Sequence, residues 1–173
     1  YHAHAQRLAL MLQNQTEEEF ADSRFQVLSE LTRLRQLCCD PALVYENYEG
    51  GSAKLDLCIE LIQSAVESGH KILLFSQFTS MIEILTARLQ EESISCFVLQ
   101  GSTKKEQRAQ MVEQFNRDDT SVFCISLKAG GTGLNLTGAD IVIHYDPWWN
   151  VAVENQATDR AHRLSLIHIS EPT

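Results

Sequence analysis

From Lys54 onward the sequence alternates between short apolar runs and amphipathic stretches, and this alternation constrains the fold more than any other feature. The apolar runs are KILLFS, SCFVLQ, SVFCIS and DIVIHYD, each six or seven residues long. The amphipathic stretches are KLDLCIELIQSAVESG, SMIEILTARLQEE and KKEQRAQMVEQFN, and a last helix is predicted from about residue 150 to 163. Continuous apolar strands separated by helices predict a parallel sheet with helices on both faces. We therefore predict a doubly wound α/β domain.

The N-terminal part of the chain has a different pattern. Residues 3 to about 38 carry helix-like periodicity, with apolar residues at three- and four-residue steps. The acidic stretch TEEEF either joins two helices or belongs to one of them. YENYEGGSAK mixes glycine with polar groups and is typical of a linker. We predict a helical segment over 1–44, a linker over 45–53 and the α/β domain over 54–163.

Composition narrows the class of protein. A chain of 173 residues that is 44% hydrophobic and 21% charged can form one packed domain with a helical appendage. The net charge of −9 argues against a surface coated with phosphate-binding lysines and arginines, so any nucleic-acid contact must be local. The apolar runs are too short to span a bilayer, and no membrane partner is expected. Because the sequence opens on Tyr1 with no initiating Met, we expect a fragment.

Five cysteines, at 38, 39, 58, 96 and 124, are odd in number and form no C-x-x-C pair. This usage indicates reduced core thiols and favours neither a disulfide framework nor a zinc site. We expect a cytoplasmic location in a bacterium and a nuclear one in a eukaryote.

Polar residues follow each predicted strand, in SQF, GSTKKEQR, SLKAGGTGLN and DPWWN. Ligands gather at the carboxyl ends of parallel strands, so these segments predict one edge of the sheet that faces a polar partner. The three glycines of AGGTGLN allow backbone N–H groups to approach a phosphate, although a tight turn is the simpler interpretation. The chain contains neither a G-x-G-x-x-G fingerprint nor a P-loop, so it lacks the usual triphosphate cradle.

Two arginines stand three residues apart on the last predicted helix. Arg160 and Arg163 share a helical face with Gln156, and a guanidinium on a rigid helix suits the charge that develops on a transferring phosphoryl group. The alternative is a surface helix on which Glu154 and Asp159 form local ion pairs with the arginines.

The tracts KILLFSQFTSM, LQGSTKKEQRAQMVEQFN, SLKAGGTGLNLTGADIVIHYDPWWN and VENQATDRAHR, in this order and spacing, resemble motor motifs four to six of the Swi/Snf family of DNA-translocating ATPases. That family belongs to helicase superfamily two, and the resemblance is to its second RecA-like lobe. It covers residues 54–163, and LTRLRQLCCDPALV resembles the segment that leads into this lobe. DPWWN together with QATDRAHR is closer to double-strand translocases than to DEAD-box helicases.

The resemblance implies a nucleotide-facing side of the lobe. Arg160 and Arg163 match the paired arginines that reach the ATP phosphates across the interlobe cleft, and Gln156 matches the glutamine that opens their motif. A nucleotide-facing loop is implied at Gly131, Gly133 and Asn135. ATP would bind with Mg²⁺ against an absent first lobe, which would carry the P-loop lysine and the metal ligands, so no metal ligand is expected here.

The resemblance also implies contact with double-stranded DNA and a link between DNA and nucleotide. The matching positions near the DNA backbone are Gln77, Ser102, Thr103, Arg108, Ser126 and Lys128. Trp148 and Trp149 match an aromatic pair that couples nucleotide state to DNA grip. Simpler interpretations are packing for the tryptophans, and a solvated helix start for Lys104, Lys105 and Arg108. Lys128 is the strongest candidate contact, and His144 is expected to be a core or strand-end residue without a catalytic role.

The implied function is the second motor lobe of an ATP-dependent double-stranded-DNA translocase of the chromatin-remodeller type. As a DNA-dependent ATPase it would need the first lobe, so the fragment alone is expected to be inactive. One alternative is a stand-alone α/β module that binds a nucleotide or a phosphate through the glycine-rich turn. Another is a regulatory lobe that binds DNA or a partner without turnover.

The sequence departs from the family pattern at two places. Val151 stands where the family has proline, a mild change at the first position of a helix. After Arg163 the family continues Ile-Gly-Gln, whereas this chain gives LSLIHISEPT, which resembles translated adaptor sequence. We expect that residues 164–173 fit no element of the fold and are a non-native tail.

Overall fold

The computed structural model describes residues 1–13, 16–126, 134–146 and 165–168. The chain divides into two compact units, Tyr1–Ser52 and Ala53–Thr173. The finer division expected from the sequence, with a separate linker and a separate tail, stays a prediction.

The first unit is helical, as the periodicity predicts. Helix α1 spans His2–Gln13, helix α2 spans Glu17–Cys39, and a single 3₁₀ turn follows at Pro41–Leu43. Thr16 begins α2 with a capping box: its hydroxyl accepts from the N–H of Glu19 at 3.4 Å, and its own N–H donates to the Glu19 carboxylate at 2.9 Å. Of the two readings left open, TEEEF therefore forms the start of the second helix.

A buried carboxylate joins α1 to α2. Glu30 is 5% exposed, and its carboxylate lies 3.0 Å from Nδ1 of His4, 3.8 Å from Arg7 and 3.5 Å from Arg33. The hydrogen bond with His4 lowers the pKa of Glu30, against the opposing effect of burial. These partners provide the compensation that a buried charge requires.

The second unit alternates helices and strands. Its helices are α3 (Ala53–Glu67), α4 (Thr79–Glu91) and α5 (Lys105–Arg117), and its strands are β1 (Ile72–Ser76), β2 (Cys96–Leu99), β3 (Val122–Ser126), β4 (Ile141–His144) and β5 (Ser165–His168). The strands form one sheet in the order β2-β3-β1-β4-β5, and every neighbouring pair is parallel. The parallel α/β fold predicted from the sequence is confirmed.

Apolar side chains cover the sheet on both faces. On one face, Leu73 and Phe75 of β1 pack in a cluster with Phe123 of β3 and Phe115 of α5. The rings of Phe115 and Phe123 meet edge to face at 5.2 Å between centroids. Helices α3 and α4 pack on the sheet with their buried Cys58, Ile62, Met81 and Leu85, and Cys124 of β3 interacts with side chains of both helices. Every residue of β1 is buried, which is the environment that a continuous apolar run predicts.

The end of α3 shows how local sequence sets an element boundary. Gly69 has a φ of +82°, its N–H donates to Val66 O at 3.0 Å, and the N–H of His70 donates to Ala65 O at 3.0 Å. This pair of bonds is a Schellman motif, which needs a left-handed residue and therefore favours glycine. The helix end predicted at this glycine is confirmed.

The far edge of the sheet corrects one expectation. Residues 165–168 form β5, which pairs with β4 in the register Ile141↔Ser165 to His144↔His168. The expectation that LSLIHISEPT fits no element is wrong for these residues, because β4 presents a row of backbone donors and acceptors that a short apolar segment can pair. A non-native origin of the tail stays a prediction. The helix predicted over 150–163 lies outside the described residues.

The cysteines differ in their surroundings, and all five are free thiols in the described chain. Burial raises the pKa of Cys58 to about 12. Cys96 on β2 and Cys124 on β3 share a thiol hydrogen bond, which lowers the pKa of Cys96 to about 7 and, with burial, raises that of Cys124. None of the helices among the described residues combines the length and the apolar character that crossing a membrane requires.

Candidate functional site

The carboxyl ends of β1, β2, β3 and β4 lie along the same edge of the sheet, which we call the carboxyl edge. Parallel pairing aligns these ends, because Ser76 of β1 is opposite Ser126 of β3, and Phe75 is opposite His144 of β4. Gln77 follows Ser76 directly, so the structure places the predicted DNA contacts Gln77 and Ser126 at the ends of two paired strands. Ser126 is 3% exposed, so only a small part of it faces solvent.

A buried carboxylate connects two of these strand ends. Asp146, which is 2% exposed, accepts hydrogen bonds from the Ser76 hydroxyl and, at 2.9 Å, from the N–H of Gln77. Ser76 Oγ in turn accepts from the N–H of Phe78 at 3.2 Å. We call Ser76, Gln77 and Asp146 the Asp146 joint. It fixes the chain where it leaves β1 to the chain where it leaves β4.

Sequence reasoning did not single out Ser76 or Asp146. A signal was present, since KILLFS and DIVIHYD each end an apolar run on a polar residue, and parallel strands bring such ends together. A carboxylate buried at that place needs donors from the neighbouring strand. His144 was predicted to be a core or strand-end residue. It is the last residue of β4, is 1% exposed and stacks on Phe75 at 5.3 Å between ring centroids, so the placement is confirmed.

The turn after β2 is organised by Arg108. The guanidinium Nε donates to Thr103 O at 2.8 Å, and Nη2 donates to Gly101 O at 3.1 Å and to Gln100 O at 3.4 Å. The turn is closed by Thr103, whose hydroxyl accepts from the N–H of Gln100 at 3.1 Å. Arg108 therefore stabilises this turn through hydrogen bonds within the chain, whereas its contact with DNA stays a prediction. Ser102 is exposed at the tip of this turn.

An open groove of about 990 Å³, which we call the α5 groove, brings candidates from separate segments together. Thr103 and Arg108 line it from the turn and from α5, and Asn135 lines it from the segment after the glycine-rich turn. Asn116, which the sequence analysis passed over, lies in the same groove and donates to Asn135 O at 2.8 Å. Residues of both predicted roles therefore line one groove, with Asn135 against Asn116 in the last turn of α5 and Arg108 about two turns earlier on the same helix.

The remaining predicted site residues lie outside the described residues, and their roles stay predictions. They are Lys128, Gly131, Gly133, Trp148, Trp149, Gln156, Arg160 and Arg163. Among the described residues, no group of three or more His, Cys, Asp or Glu side chains is placed to hold a metal ion.

The hydrogen bonds of the Asp146 joint are expected to stabilise the folded lobe. Asp146→Asn keeps the size of the side chain but replaces one carboxylate oxygen by an NH₂ donor, so one of the two hydrogen bonds loses its acceptor. We expect the free energy of unfolding in urea to fall by about 1–3 kcal/mol. The control is Asp119→Asn at an exposed position, which is expected to change it by less than about 0.5 kcal/mol. Equal effects of the two substitutions would contradict a buried, hydrogen-bonded role for Asp146.

Comparison with known proteins places the lobe in a family. Residues 53–165 match the family described as the helicase conserved C-terminal domain. A putative ATP-dependent helicase/translocase of Bacillus subtilis, YwqA, is 45% identical over 153 residues, which cover 83% of this chain and 16% of that protein. An uncharacterized ATP-dependent helicase of Mycoplasma pneumoniae is matched over 14% of its length. The chain thus spans only a small part of the curated relatives that it matches.

Solved structures agree with this placement. The SWI2/SNF2 ATPase C-terminal domain of Sulfolobus solfataricus superposes with a TM-score of 0.75 at 30% identity, over 96% of this chain and 69% of that one. The SWI2/SNF2 ATPase core of the same organism in complex with double-stranded DNA superposes with a TM-score of 0.79 at 28% identity, over 96% of this chain and 36% of that one. The chain therefore belongs to the helicase conserved C-terminal domain family, as a RecA-like C-terminal lobe of the Swi/Snf type.

Proposed function

We propose that this lobe is the second motor lobe of a DNA-dependent ATPase that translocates on double-stranded DNA. The proposal rests mainly on one observation: separate polar segments lie together at the carboxyl edge of the sheet. They include Gln77, Ser126 and the turn that Arg108 holds through hydrogen bonds. The likeness to an ATPase core solved with double-stranded DNA supports the same reading. A site composed of several loops on one sheet edge suits a ligand that spans many residues, as a nucleic acid does.

ATP is proposed to bind between this lobe and a first lobe that carries the P-loop lysine and the ligands for Mg²⁺. Gly131, Gly133 and Asn135 would face the nucleotide from this side, and backbone N–H groups without a nearby Cβ suit close approach to phosphate. Arg160 and Arg163, together with Gln156, would reach the phosphates when the cleft closes. Guanidinium groups stabilise the charge that spreads over the transferring phosphoryl group, which is the role of arginine fingers.

The DNA contacts are proposed to be made to the phosphate backbone. Hydroxyl, amide and positively charged side chains can donate to phosphate oxygens, and such contacts carry no base preference by themselves. The candidate donors are Gln77, Ser102, Thr103, Arg108, Ser126 and Lys128. Because the chain has a net charge of −9, this grip has to be local rather than spread over the surface.

The Asp146 joint suggests how the two activities are coupled. Asp146 binds the backbone of Gln77 and stands two residues before Trp148, in the segment that leads toward Arg160. A shift of that segment when ATP binds or leaves would be transmitted to Gln77 through a short, buried connection. Opening and closing of the cleft would then change the grip on DNA, and alternating grips convert hydrolysis into steps.

Arg160→Ala is expected to abolish turnover in the native protein that carries both lobes. Loss of an arginine finger lowers the rate by about 10³ to 10⁵, so the DNA-stimulated kcat should fall by that factor in a steady-state ATPase assay. The control is Arg24→Ala, because Arg24 is an exposed arginine on α2 in the first unit and has none of the proposed roles. That variant should retain wild-type kcat.

Two results would contradict the motor reading. One is an Arg160→Ala protein with wild-type DNA-stimulated turnover. The other is ATP hydrolysis by the purified 173-residue chain that Arg160→Ala abolishes, since the isolated lobe is expected to be inactive. That second result would favour the stand-alone nucleotide-binding module.

Lys128→Ala is expected to weaken binding of double-stranded DNA about equally for unrelated sequences. If Lys128 neutralises one phosphate, the slope of log K against log salt concentration should decrease in magnitude by about 1. Fluorescence anisotropy of labelled duplexes across a salt series measures this slope, with Arg24→Ala again as the control. An unchanged slope together with unchanged affinity would remove Lys128 from the proposed grip.

A further inference from the structure

The last turn of α5 holds the segment that follows the glycine-rich turn through one side-chain amide. Nδ2 of Asn116 donates to Asn135 O at 2.8 Å, and Oδ1 of Asn116 accepts from the N–H of Gly138 at 2.8 Å. A carbonyl oxygen needs a donor and an N–H needs an acceptor, so only one orientation of the amide satisfies both. Asn116 thus pairs with the segment much as a backbone peptide group would.

Gly138 lies so close to α5 that these hydrogen bonds leave no room for a side chain at position 138. A Cβ added to Gly138 would lie 2.9 Å from Cα of Asn116, which is a backbone atom of the helix and has nowhere to move. Glycine at 138 is therefore required for the segment to lie this near α5.

The end of helix α5 that carries Asn116 is itself held in place. Lys71, just before β1, donates through Nζ to Phe115 O and, at 2.6 Å, to Asp118 O, so it ties the carboxyl end of α5 to the start of the central strand. The same ammonium lies 4.2 Å from the centroid of the Phe115 ring, a cation–π contact. Phe115 is fully buried. Asn116 therefore stands on a helix end that cannot shift without breaking core contacts.

The apolar residues on either side anchor the same segment separately. Leu136 and Ala139 are buried in the core cluster, and Leu134 packs against it. These contacts hold the segment against the sheet, but they do not fix the carbonyl of the exposed Asn135. The bond from Asn116 does so, because hydrogen bonds are directional and apolar contacts are not.

We infer that Asn116 is a positioning residue for ATP hydrolysis: it sets the place of Asn135, one of the residues proposed to face the nucleotide. This inference rests on the proposed function, because the role of Asn135 toward the nucleotide is part of that proposal. Asn116 touches no nucleotide in this scheme and acts only through Asn135.

Two substitutions separate the positioning role from simple support of the fold. Asn116→Ala removes both hydrogen bonds. Asn116→Asp keeps an acceptor for the N–H of Gly138 but places a carboxylate oxygen against Asn135 O. It therefore removes only the hydrogen bond to Asn135. Matched controls on the same helix are Gln110→Ala and Gln110→Glu, at an exposed position.

The measurement is the DNA-stimulated kcat and the KM for ATP of the native two-lobe protein, with the melting temperature recorded for each variant. Misplacement of a catalytic element by about 1 Å costs up to about 10²-fold in rate, so kcat of both Asn116 variants should fall about ten- to hundredfold. KM should change much less, since the loss is one of transition-state alignment. The melting temperature should fall by about 1–6 °C in Asn116→Asp, which loses one hydrogen bond, and by up to about 12 °C in Asn116→Ala, which loses two. The Gln110 variants should match the wild type.

Three outcomes bear on the inference. Wild-type kcat in Asn116→Asp would overturn it, and so would an activity loss that disappears when the assay is run well below the melting temperature, because that shows a structural role only. If the wild-type protein has no DNA-stimulated turnover, or Arg160→Ala leaves it intact, the proposed function fails first. A fall in kcat in both Asn116 variants while they remain fully folded, together with an inactive Arg160→Ala protein, supports both the inference and the proposed function.

Discussion

The structure depends on the burial of a parallel strand on both of its faces. Every residue of β1 is buried, with β3 on one side, β4 on the other, and helices above and below. Such a strand has no surface on which a polar side chain can meet solvent, so polar chemistry is confined to the strand ends. The carboxyl edge is the consequence, and it is where this family of folds collects ligands.

Three polar contacts then give shape to loops that the apolar core cannot fix. Asp146 joins the ends of β1 and β4, Arg108 closes the turn after β2, and Asn116 holds the segment after the glycine-rich turn. Each uses a side chain to satisfy backbone donors or acceptors from a distant part of the chain. Hydrogen bonds of this kind contribute modestly to stability but are costly to leave half made, so they specify one loop arrangement over others.

Much of this could be predicted from the sequence because the signals are local. Strands β1 to β4 follow from apolar runs, and the end of α3 follows from Gly69. The capping box of α2 is likewise a local pattern, Thr16 with Glu19. By contrast, Ser76 and Asp146 are 70 residues apart, and Asn116 is 22 residues from Gly138. The polar ends of the apolar runs mark Ser76 and Asp146 as strand-end residues, but only the fold decides which side chain pairs with which distant group. The strand β5 was missed because a segment judged by its unusual sequence was excluded from the fold.

The proposed function requires Arg160 and Arg163 to complete an ATP site formed with another lobe. The most direct test is a structure of the native two-lobe protein with double-stranded DNA and ADP–aluminium fluoride, which mimics the transferring phosphoryl group. Both guanidinium groups are expected within hydrogen-bond distance of the fluoride or phosphate atoms, with the carboxyl edge of this lobe on the DNA backbone. Arginines paired with Glu154 and Asp159 at the surface, with the nucleotide elsewhere, would contradict it.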